Sequence, residues 1–344
     1  MRVNPRPLVI AHRGACGHRP EHGADAYRLA LELGADAIEP DIVATRDGVL
    51  ILRHENEIGG TTDVADHVSF ADRRTTKTID GVEVTGWFTE DFTWAELSTL
   101  RIRERLPKLR PLSAAHDGEG RIQRLADLLS LLDTDAARGR LAADGSPAPV
   151  GLVAEIKHAT YFKSIGLPLD QLFAQELSEA GWTNDSRLTI ESFEQTVLGR
   201  LRGLGVGGRL VYLIEAEGAA ADLVARDGSA ALLYGEQVSP EGLAALAGAV
   251  DGISVAKKML VTSKGVAQPG LVEDAHAVGL DVFTWTLRPE NRFLSKALRS
   301  GGGKAEFGRW RTEFARIIGT GVDGVFADFP DLVRELVDRA PAVV

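Results

Sequence analysis

Histidines and carboxylates stand close to the ends of short apolar runs in the first part of the chain. His12 and His54 each follow such a run, and Glu39 and Asp41 lie within a third. Because strand residues two apart point to the same face, the two carboxylates are expected to point together. They repel each other unless a cation or a proton lies between them, and an all-oxygen site suits Ca²⁺ or Mg²⁺. The stretch therefore predicts a divalent-cation site beside histidines that can exchange protons near neutral pH.

A short turn predicts how His54 reaches this site. The Asp47-Gly48 pair is typical of a two-residue hairpin turn. A connection this short cannot make a parallel crossover, so residues 49–54 are expected to run antiparallel beside residues 37–45. The return then brings His54 roughly opposite Asp41.

A third carboxylate and two basic side chains are predicted to lie beside these groups. Glu155 and Lys157 end a later predicted strand and share one of its faces. A Glu-x-Lys pair is usually an ordinary salt bridge, but here it adds to Glu39 and Asp41. Buried carboxylates cost on the order of several kcal/mol unless they are compensated, and a metal ion compensates them. Lys157 and Arg13 would supply positive charge for an anionic substrate.

The elements that must position these groups alternate between strands and helices. Strands are predicted at 8–12, 37–45, 152–157, 187–193, 210–215, 252–255, 281–286 and 324–327. Helices are predicted at 21–33, 169–180, 194–204, 240–249, 269–278, 289–299 and 330–339. Eight strands alternating with helices favour an α/β fold of the (β/α)₈ TIM-type barrel over a doubly wound open sheet. Reactive residues of such a barrel lie at the C-terminal ends of the strands, where these side chains fall.

The interval between His54 and residue 152 is too long for one barrel connection. It predicts a small inserted subdomain at 55–118, with the barrel formed by 1–54 and 119–344, and a helix at 122–137. Within the insertion, Thr93 and Glu96 predict a capping box that opens a helix reaching Arg103. Pro40, which has no N–H group, counts against a central strand at 37–45, but the strand is retained because Pro40 lies near its end, where the ladders of a barrel open.

Composition restricts the partners. The 344 residues are 44% hydrophobic and carry a formal net charge of −10, which argues against a nucleic-acid-binding protein. Cys16 is the only cysteine, so no intramolecular disulfide is expected. The chain as written shows neither a secretion signal nor an apolar run of transmembrane length, which predicts a cytoplasmic protein without stable membrane association.

Several short motifs resemble the glycerophosphodiester phosphodiesterase family, and together they span most of the chain. The motifs are His12-Arg13-Gly14, Arg19-Pro20-Glu21-His22, Gly34 to Asp41, Thr45-Arg46-Asp47-Gly48, His54-Glu55-Asn56, Ala154-Glu155-Ile156-Lys157 and Gly321 to Pro330. The sequence Gly86-Trp87-Phe88-Thr89-Glu90-Asp91-Phe92 is similar to the insertion of the bacterial periplasmic-type branch.

The resemblance implies metal-dependent hydrolysis of a small glycerophosphodiester to sn-glycerol 3-phosphate and an alcohol. It implies that His12 and His54 act as the acid–base pair, and that the glycerol 2-hydroxyl attacks first to give a cyclic phosphate that water then opens. The implied metal ligands for Ca²⁺ or Mg²⁺ are Glu39, Asp41 and Glu155. The implied substrate contacts are Arg13, Lys157 and Trp285, although core packing explains Trp285 equally well.

Two departures from the family pattern and two alternative functions stay open. His22-Gly23 replaces a pair that usually ends in threonine, and Gln123-Arg124-Leu125 replaces Pro-Thr-Leu. One alternative is a catalytically silent barrel that binds phosphodiesters. The other is a phosphodiesterase of the lysophospholipase D type that acts on lipids. The sequence assigns neither the head group nor the oligomeric state.

Overall fold

Short runs of aliphatic and β-branched residues form the strands around the core. The computed structural model describes residues 6–141 and 145–339. Its strands are Leu8–His12 (β1), Ala37–Glu39 (β2), Asp41–Ala44 (β3), Leu50–Leu52 (β4), Thr75–Ile79 (β5), Val82–Gly86 (β6), Gly151–Ile156 (β7), Leu188–Ser192 (β8), Arg209–Ile214 (β9), Gly252–Ala256 (β10), Asp281–Leu287 (β11) and Gly324–Ala327 (β12).

The parallel strands close into a barrel. β1 pairs with β12 on one side and with β2 on the other, and β7 to β12 follow one another in order. The circle closes because β2 and β3, which together occupy one barrel position, both pair with β7. The predicted (β/α)₈ barrel is therefore confirmed, and the doubly wound open sheet is wrong.

Pro40 interrupts the second barrel strand, which was predicted to run unbroken over 37–45. Proline offers no N–H to a ladder, so the strand divides into β2 and β3 on either side of it. The carbonyl of Pro40 still accepts a hydrogen bond of 2.9 Å from the backbone N–H of Glu155. The break thus lies at the level where the carboxylates of Glu39, Asp41 and Glu155 meet.

β4 returns antiparallel beside β3, as the Asp47-Gly48 turn predicts. The pairing of Ile42 with Leu52 places Arg53, rather than His54, opposite Asp41. Accordingly, the backbone N–H of Arg53 donates to the carbonyl of Asp41 at 3.0 Å. His54 comes one residue later, at the mouth of the barrel.

Helices cover the outside of the barrel and connect its strands. The α-helices are Ala24–Glu32 (α1), Trp94–Leu97 (α2), Pro111–Ala114 (α3), Leu125–Leu132 (α4), Asp135–Arg138 (α5), Ala159–Ser164 (α6), Leu169–Glu179 (α7), Gln195–Gly203 (α8), Ala221–Asp227 (α9), Tyr234–Gln237 (α10), Pro240–Leu246 (α11), Gly270–Ala277 (α12), Trp310–Ile318 (α13) and Pro330–Arg339 (α14). Single 3₁₀ turns or short 3₁₀ helices lie at Val64–Asp66, Val68–Arg73, Thr89–Asp91, Gly228–Ala230, Lys257–Met259 and Lys296–Leu298.

Some predicted helices are wrong in place or length. Residues 289–299, predicted as a helix, form a loop in which Glu290 bridges to Phe307, and the helix of this region is α13. The capping box of Thr93 and Glu96 is confirmed, but the helix ends at Leu97 instead of Arg103. The predicted helix at 122–137 is divided into α4 and α5.

Apolar side chains fill the barrel below its polar end. One cluster inside the barrel comes from six strands and consists of Ile10, Ala37, Val153, Val211, Phe283 and Phe326. The larger apolar core lies between the strands and the surrounding helices. The interior is therefore a packed core rather than a channel, and open space remains at one end.

The segment between β4 and α4 carries the β5–β6 hairpin, α2, α3 and three of the 3₁₀ elements. The division of the chain into a barrel (1–54 and 119–344) and an insertion (55–118) stays a prediction. The composition of 139–149, rich in Gly, Ala, Pro and Ser, also predicts a flexible loop, part of which lies outside the described residues. Among the residues that the structure describes, none of the helices has the length and hydrophobicity needed to cross a lipid bilayer.

Candidate active site

His12 is held at the end of β1 by a carboxylate from the far end of the chain. Its Nδ1 lies 2.6 Å from Oδ1 of Asp328, directly after β12. Burial alone would raise the pKa of Asp328, but Arg288 and Arg110 hold that pKa well below its ordinary value. Burial and the neighbouring Arg13 lower the pKa of His12 to about 4. A neutral His12 therefore donates from Nδ1 to an ionised Asp328 and keeps a lone pair on Nε2.

Asp328 is itself fixed by two arginines. Nη2 of Arg110 and Nε of Arg288 approach its Oδ2 at 2.5 and 2.6 Å. Arg110 comes from the region predicted as an insertion, and its Nε also donates to Glu290 at 2.8 Å. Because both carboxylates are almost fully buried, the Arg110 guanidinium is committed to them. The insertion thereby contributes a buried group behind His12.

Arg13 binds protein carboxylates rather than pointing freely into the site. Its backbone N–H donates to Oε2 of Glu39 at 2.8 Å, and its Nη1 donates to Glu21 at 3.0 Å. Its Nε lies 3.0 Å from Oδ2 of Asp41. Burial opposes its charge, but Asp41 and Glu21 outweigh burial and raise the pKa of Arg13. Glu39 and Asp41 thus both contact Arg13, Glu39 through its backbone N–H and Asp41 through its guanidinium.

Asp41 has a second partner that the sequence did not indicate. Nε2 of His22 lies 3.0 Å from Oδ2 of Asp41, and Nδ1 of His22 lies 2.8 Å from the hydroxyl of Tyr27. The side chain of His22 is fully buried. Burial lowers the pKa of His22 to about 4, so a neutral imidazole donates to Asp41.

Three glutamates on neighbouring strands form an acidic cluster. Carboxylate oxygens of Glu39, Glu155 and Glu191 lie within 4.8 Å of one another, and all three residues are buried. Oε1 of Glu39, Oδ1 of Asp41 and Oε2 of Glu191 have no hydrogen-bond partner. Buried, unpartnered carboxylate oxygens are the donors that a hard divalent cation requires. The residues present therefore fit a Ca²⁺ or Mg²⁺ ion.

Lys157 lies beside this acidic cluster. Its Nζ is 2.9 Å from Oε1 of Glu155 and 3.7 Å from Oδ1 of Asp41. Burial opposes its charge, yet Glu155 and Asp41 keep the pKa of Lys157 above its ordinary value. Burial raises the pKa of Glu155 to about 8, and Lys157 opposes this rise only in part. The positive charge of Lys157 alone therefore does not balance the negative charge of the acidic cluster.

His54 lies at the cavity wall and is more exposed than His12. Its side chain is 24% exposed, and its Nδ1 lies 2.7 Å from Oε1 of Glu55. Arg105 Nη1 also lies 3.3 Å from this Nδ1. The shorter contact with a carboxylate assigns the proton to Nδ1. Burial, Arg13 and Lys157 lower the pKa of His54 well below its ordinary value.

His158 links the tip of the β5–β6 hairpin to the neighbour of His54. Its Nδ1 lies 2.6 Å from Asp80 and its Nε2 lies 3.3 Å from Glu55. Burial opposes protonation, but the hydrogen bonds to these two carboxylates raise the pKa of His158 to about 9. His158 thus connects Asp80 to Glu55 at the cavity wall.

A cavity of about 1050 Å³ opens at the C-terminal end of the barrel strands. Its polar lining comprises His12, Arg13, Glu39, His54, Glu155, Lys157, Glu191 and Arg288, together with acidic residues nearer the surface. Its apolar lining includes Val82, Tyr161, Phe193, Leu213, Val224, Tyr234 and Trp285. The cavity therefore joins a charged floor to an apolar wall.

Trp285 belongs to both the cavity and the packed interior. It lines the cavity, and its ring makes an edge contact with Phe193 at a centroid distance of 5.6 Å. It also packs against the apolar cluster inside the barrel, and its Nε1 lies 3.3 Å from the carbonyl of Ser254. A packing role is thus present, and a substrate contact stays a prediction.

Several residues of the site were missed from the sequence: Glu21, His22, Arg110, Glu191 and Asp328. Glu191 could have been found, because it interrupts an apolar strand at the position that Glu155 holds in its own strand. Two partners of Asp328, His12 and Arg110, are 316 and 218 residues away, and no local pattern connects them to it.

Known proteins match this chain along most of its length. The model of the "Glycerophosphoryl diester phosphodiesterase family" matches residues 12–332. The glycerophosphodiester phosphodiesterase GDPD6 of Arabidopsis thaliana is 31% identical over 340 residues, which cover 94% of this chain and 84% of the relative. The glycerophosphodiester phosphodiesterase of Bacillus subtilis is 38% identical over 91 residues, which cover 25% of this chain and 29% of the relative.

Solved structures share the fold. A phosphodiesterase of Oleispira antarctica, solved in complex with the product sn-glycerol-3-phosphate, superposes with a TM-score of 0.62 at 19% identity and covers 97% of each chain. A glycerophosphodiester phosphodiesterase of Agrobacterium tumefaciens superposes with a TM-score of 0.55 at 20% identity, covering 96% of this chain and 99% of the other. The family match over residues 12–332, together with the relative that is 31% identical over 340 residues, places the chain in the glycerophosphoryl diester phosphodiesterase family.

Proposed function

We propose that the chain hydrolyses small glycerophosphodiesters to sn-glycerol 3-phosphate and an alcohol with the help of a divalent cation. The observation that carries this proposal is one cavity lined by two histidines and a cluster of buried carboxylates. Each histidine has Nδ1 beside a carboxylate, which leaves Nε2 for proton exchange. Family membership supports the same reaction.

Glu39, Asp41 and Glu155 would hold the cation, with Ca²⁺ and Mg²⁺ both compatible with oxygen ligands. When bound, a divalent cation neutralises charge on a phosphate oxygen and favours the attack on phosphorus. Arg13 keeps Glu39 and Asp41 in place through its contacts at 2.8 and 3.0 Å. Lys157, whose Nζ lies 2.9 Å from Glu155, would supply a second positive charge beside the phosphate of the substrate.

The two histidines would divide the proton transfers. His12 is proposed as the base that accepts the proton of the attacking hydroxyl at Nε2, because ionised Asp328 stabilises the imidazolium that forms. His54 is proposed as the acid that gives a proton to the leaving alcohol oxygen. When the glycerol 2-hydroxyl is the attacking group, water then opens the cyclic phosphate to sn-glycerol 3-phosphate. Burial and nearby cations keep the pKa of His54 low, so its Nε2 must first take a proton from solvent. The side chain of His54 is 24% exposed and that of His12 is 10% exposed, so solvent reaches His54 more easily.

The product identifies the reaction. Phosphorus-31 NMR of glycerophosphocholine incubated with the protein and Ca²⁺ or Mg²⁺ is expected to show sn-glycerol 3-phosphate and no phosphocholine. The double variant His12→Ala/His54→Ala is the control and should leave the diester intact. A silent phosphodiester-binding barrel would give binding without any new phosphorus signal, and that result would overturn the proposal.

Lysophospholipids are a second candidate substrate class. The apolar wall that includes Val82, Tyr161 and Val224 could receive an acyl chain, and burial of such a chain is favourable. The experiment compares kcat/KM for glycerophosphocholine with kcat/KM for lysophosphatidylcholine, the latter kept below its critical micelle concentration. A higher value for the lysolipid would establish the second class, and a higher value for the deacylated diester would favour the first.

A further inference from the structure

Glu191 continues a row of carboxylates across three neighbouring barrel strands. In the sheet register, Asp41 of β3 is the partner of Glu155 of β7, and Glu155 is the partner of Glu191 of β8. Parallel neighbours in register point to the same side of a sheet and lie about 5 Å apart. The third member of the row therefore faces the interior at the level of the other two.

Glu191 is deeply buried and lacks compensation from the protein. Its exposure is 1%, and its Oε2 has no hydrogen-bond partner. No ion pair within residues 6–141 and 145–339 joins it to a lysine, arginine or histidine. A salt bridge would explain a buried glutamate, and so would a hydrogen bond from each oxygen, but neither applies here.

The unpartnered oxygen belongs to the acidic cluster of the cavity. Carboxylate oxygens of Glu191, Glu39 and Glu155 lie within 4.8 Å of one another. The cations in contact with this group and with Asp41 are Arg13 and Lys157. Arg13 also contacts Glu21, but Glu21 has a second cation in Arg105, whose Nε donates to it at 2.8 Å. When Glu39, Asp41, Glu155 and Glu191 are all ionised, their four negative charges and the two positive charges of Arg13 and Lys157 leave an excess of two negative charges. One divalent cation balances that excess.

We infer that Glu191 is a fourth carboxylate ligand of the divalent cation and that it favours Ca²⁺ over Mg²⁺. Ca²⁺ accepts six to eight oxygens in flexible geometry, whereas Mg²⁺ requires a tight octahedron and usually keeps several waters. An added carboxylate therefore benefits Ca²⁺ more. The inference shares with the proposed function only the assumption that a divalent cation binds at this cluster.

Calorimetric titration of the full chain, stripped of metal by a chelator and measured without substrate, tests this inference. Glu191→Gln is expected to weaken Ca²⁺ binding at least tenfold and Mg²⁺ binding less, so that the ratio of the two affinities falls. The matched control is Glu176→Gln on α7, because Glu176 also has an unpartnered oxygen and a pKa that burial raises to about 7. This control should keep both affinities within about twofold of the original chain.

Contrary results are easily recognised. The inference would be overturned if Glu191→Gln left the Ca²⁺ affinity and the ratio of the Ca²⁺ and Mg²⁺ affinities unchanged. It would also be overturned if the original chain bound neither ion. Normal Ca²⁺ binding with no release of sn-glycerol 3-phosphate would contradict the proposed function and leave this inference standing. The two failures are therefore distinguishable.

Thermal unfolding supplies a second readout. Glutamine has nearly the size of glutamate and removes one buried charge, so Glu191→Gln is expected to unfold no earlier than the original chain in chelator. Saturating Ca²⁺ should raise Tm less in Glu191→Gln than in the original chain. If Glu191→Gln does not fold, Glu191→Asp replaces it, because the shorter side chain keeps the charge but moves the carboxylate oxygens away from the cluster. A rise of Tm with Ca²⁺ equal to that of the original chain would then overturn the inference.

Discussion

Oδ1 of Asp328 lies 2.6 Å from Nδ1 of His12, although 316 residues separate the two in the chain. The contact joins the first barrel strand to the last, which are neighbours because the sheet closes. It fixes which nitrogen of His12 carries the proton and which one faces the cavity. The proposed proton transfer therefore depends on a residue from the far end of the chain.

Asp328→Asn tests this dependence. The amide keeps the size of the side chain but cannot stabilise the His12 imidazolium, so kcat should fall about a hundredfold or more. The affinity for the divalent cation should not change. Asp331→Asn is the matched control, because Asp331 lies 2.9 Å from Nε2 of His18 outside the cavity. Steady-state kinetics with equal losses in both variants would contradict the role given to Asp328.

Arg110→Ala tests whether the predicted insertion supports the site. The variant leaves Glu290 and Asp328 without a guanidinium that contacts both, and breaking a buried ion pair costs about 3–5 kcal/mol. A lower free energy of unfolding and a lower kcat are both expected. Arg121→Ala is the control, since Arg121 is exposed and its Nη1 contacts only a backbone carbonyl. Denaturant unfolding that gives equal values for the two variants would contradict this account.

A substrate with an activated leaving group distinguishes the roles of the two histidines. With the p-nitrophenyl ester of glycerol 3-phosphate, the leaving phenolate needs no proton. His54→Ala should then lose about a hundredfold on glycerophosphocholine but less than tenfold on the activated ester. His12→Ala should lose activity on both substrates. The opposite pattern in initial rates would assign the acid to His12 and the base to His54.

His158 should make stability depend on pH. Its folded pKa of about 9 lies above the ordinary value of 6.5, so the folded chain binds the extra proton more tightly than the unfolded chain. The stabilisation is fully present below pH 6.5 and is lost as the pH rises through 9.

The loss of free energy of unfolding in His158→Gln relative to the original chain should therefore be about 1–3 kcal/mol at pH 6.5 and close to zero above pH 9. Denaturant unfolding across this range measures the difference. His116→Gln, which removes an exposed histidine paired with Glu119, should show no such trend. A difference that grows with pH would have the wrong sign for this mechanism.

The sequence predicts the barrel well because its strands are short, apolar and regularly spaced. The sequence predicts secondary structure poorly where contacts between distant residues, rather than the local residue pattern, decide the conformation. Pro289 looks like a helix start, yet Glu290 is fixed by Arg110 and by a bridge to Phe307, so this segment becomes a loop. The helix α13 instead buries Trp310, Phe314 and Ile317, whose i, i+4, i+7 spacing is visible in the sequence.

The residues that touch the cavity were easier to predict than those that hold them in place. His12, Glu39, His54, Glu155 and Lys157 line one cavity, as their positions near strand ends predict. The supporting residues are recognised only once distant strands are neighbours. Asp328 follows a strand in a motif that also starts a helix, and its contact with His12 depends on closure of the barrel.

The decisive measurement is the release of sn-glycerol 3-phosphate from glycerophosphocholine with Ca²⁺, with Mg²⁺ and with chelator, beside a His12→Ala control. Turnover is expected to need a divalent cation and to fall about a hundredfold or more in His12→Ala. Turnover that persists in chelator, or that His12→Ala leaves intact, would contradict the proposed function.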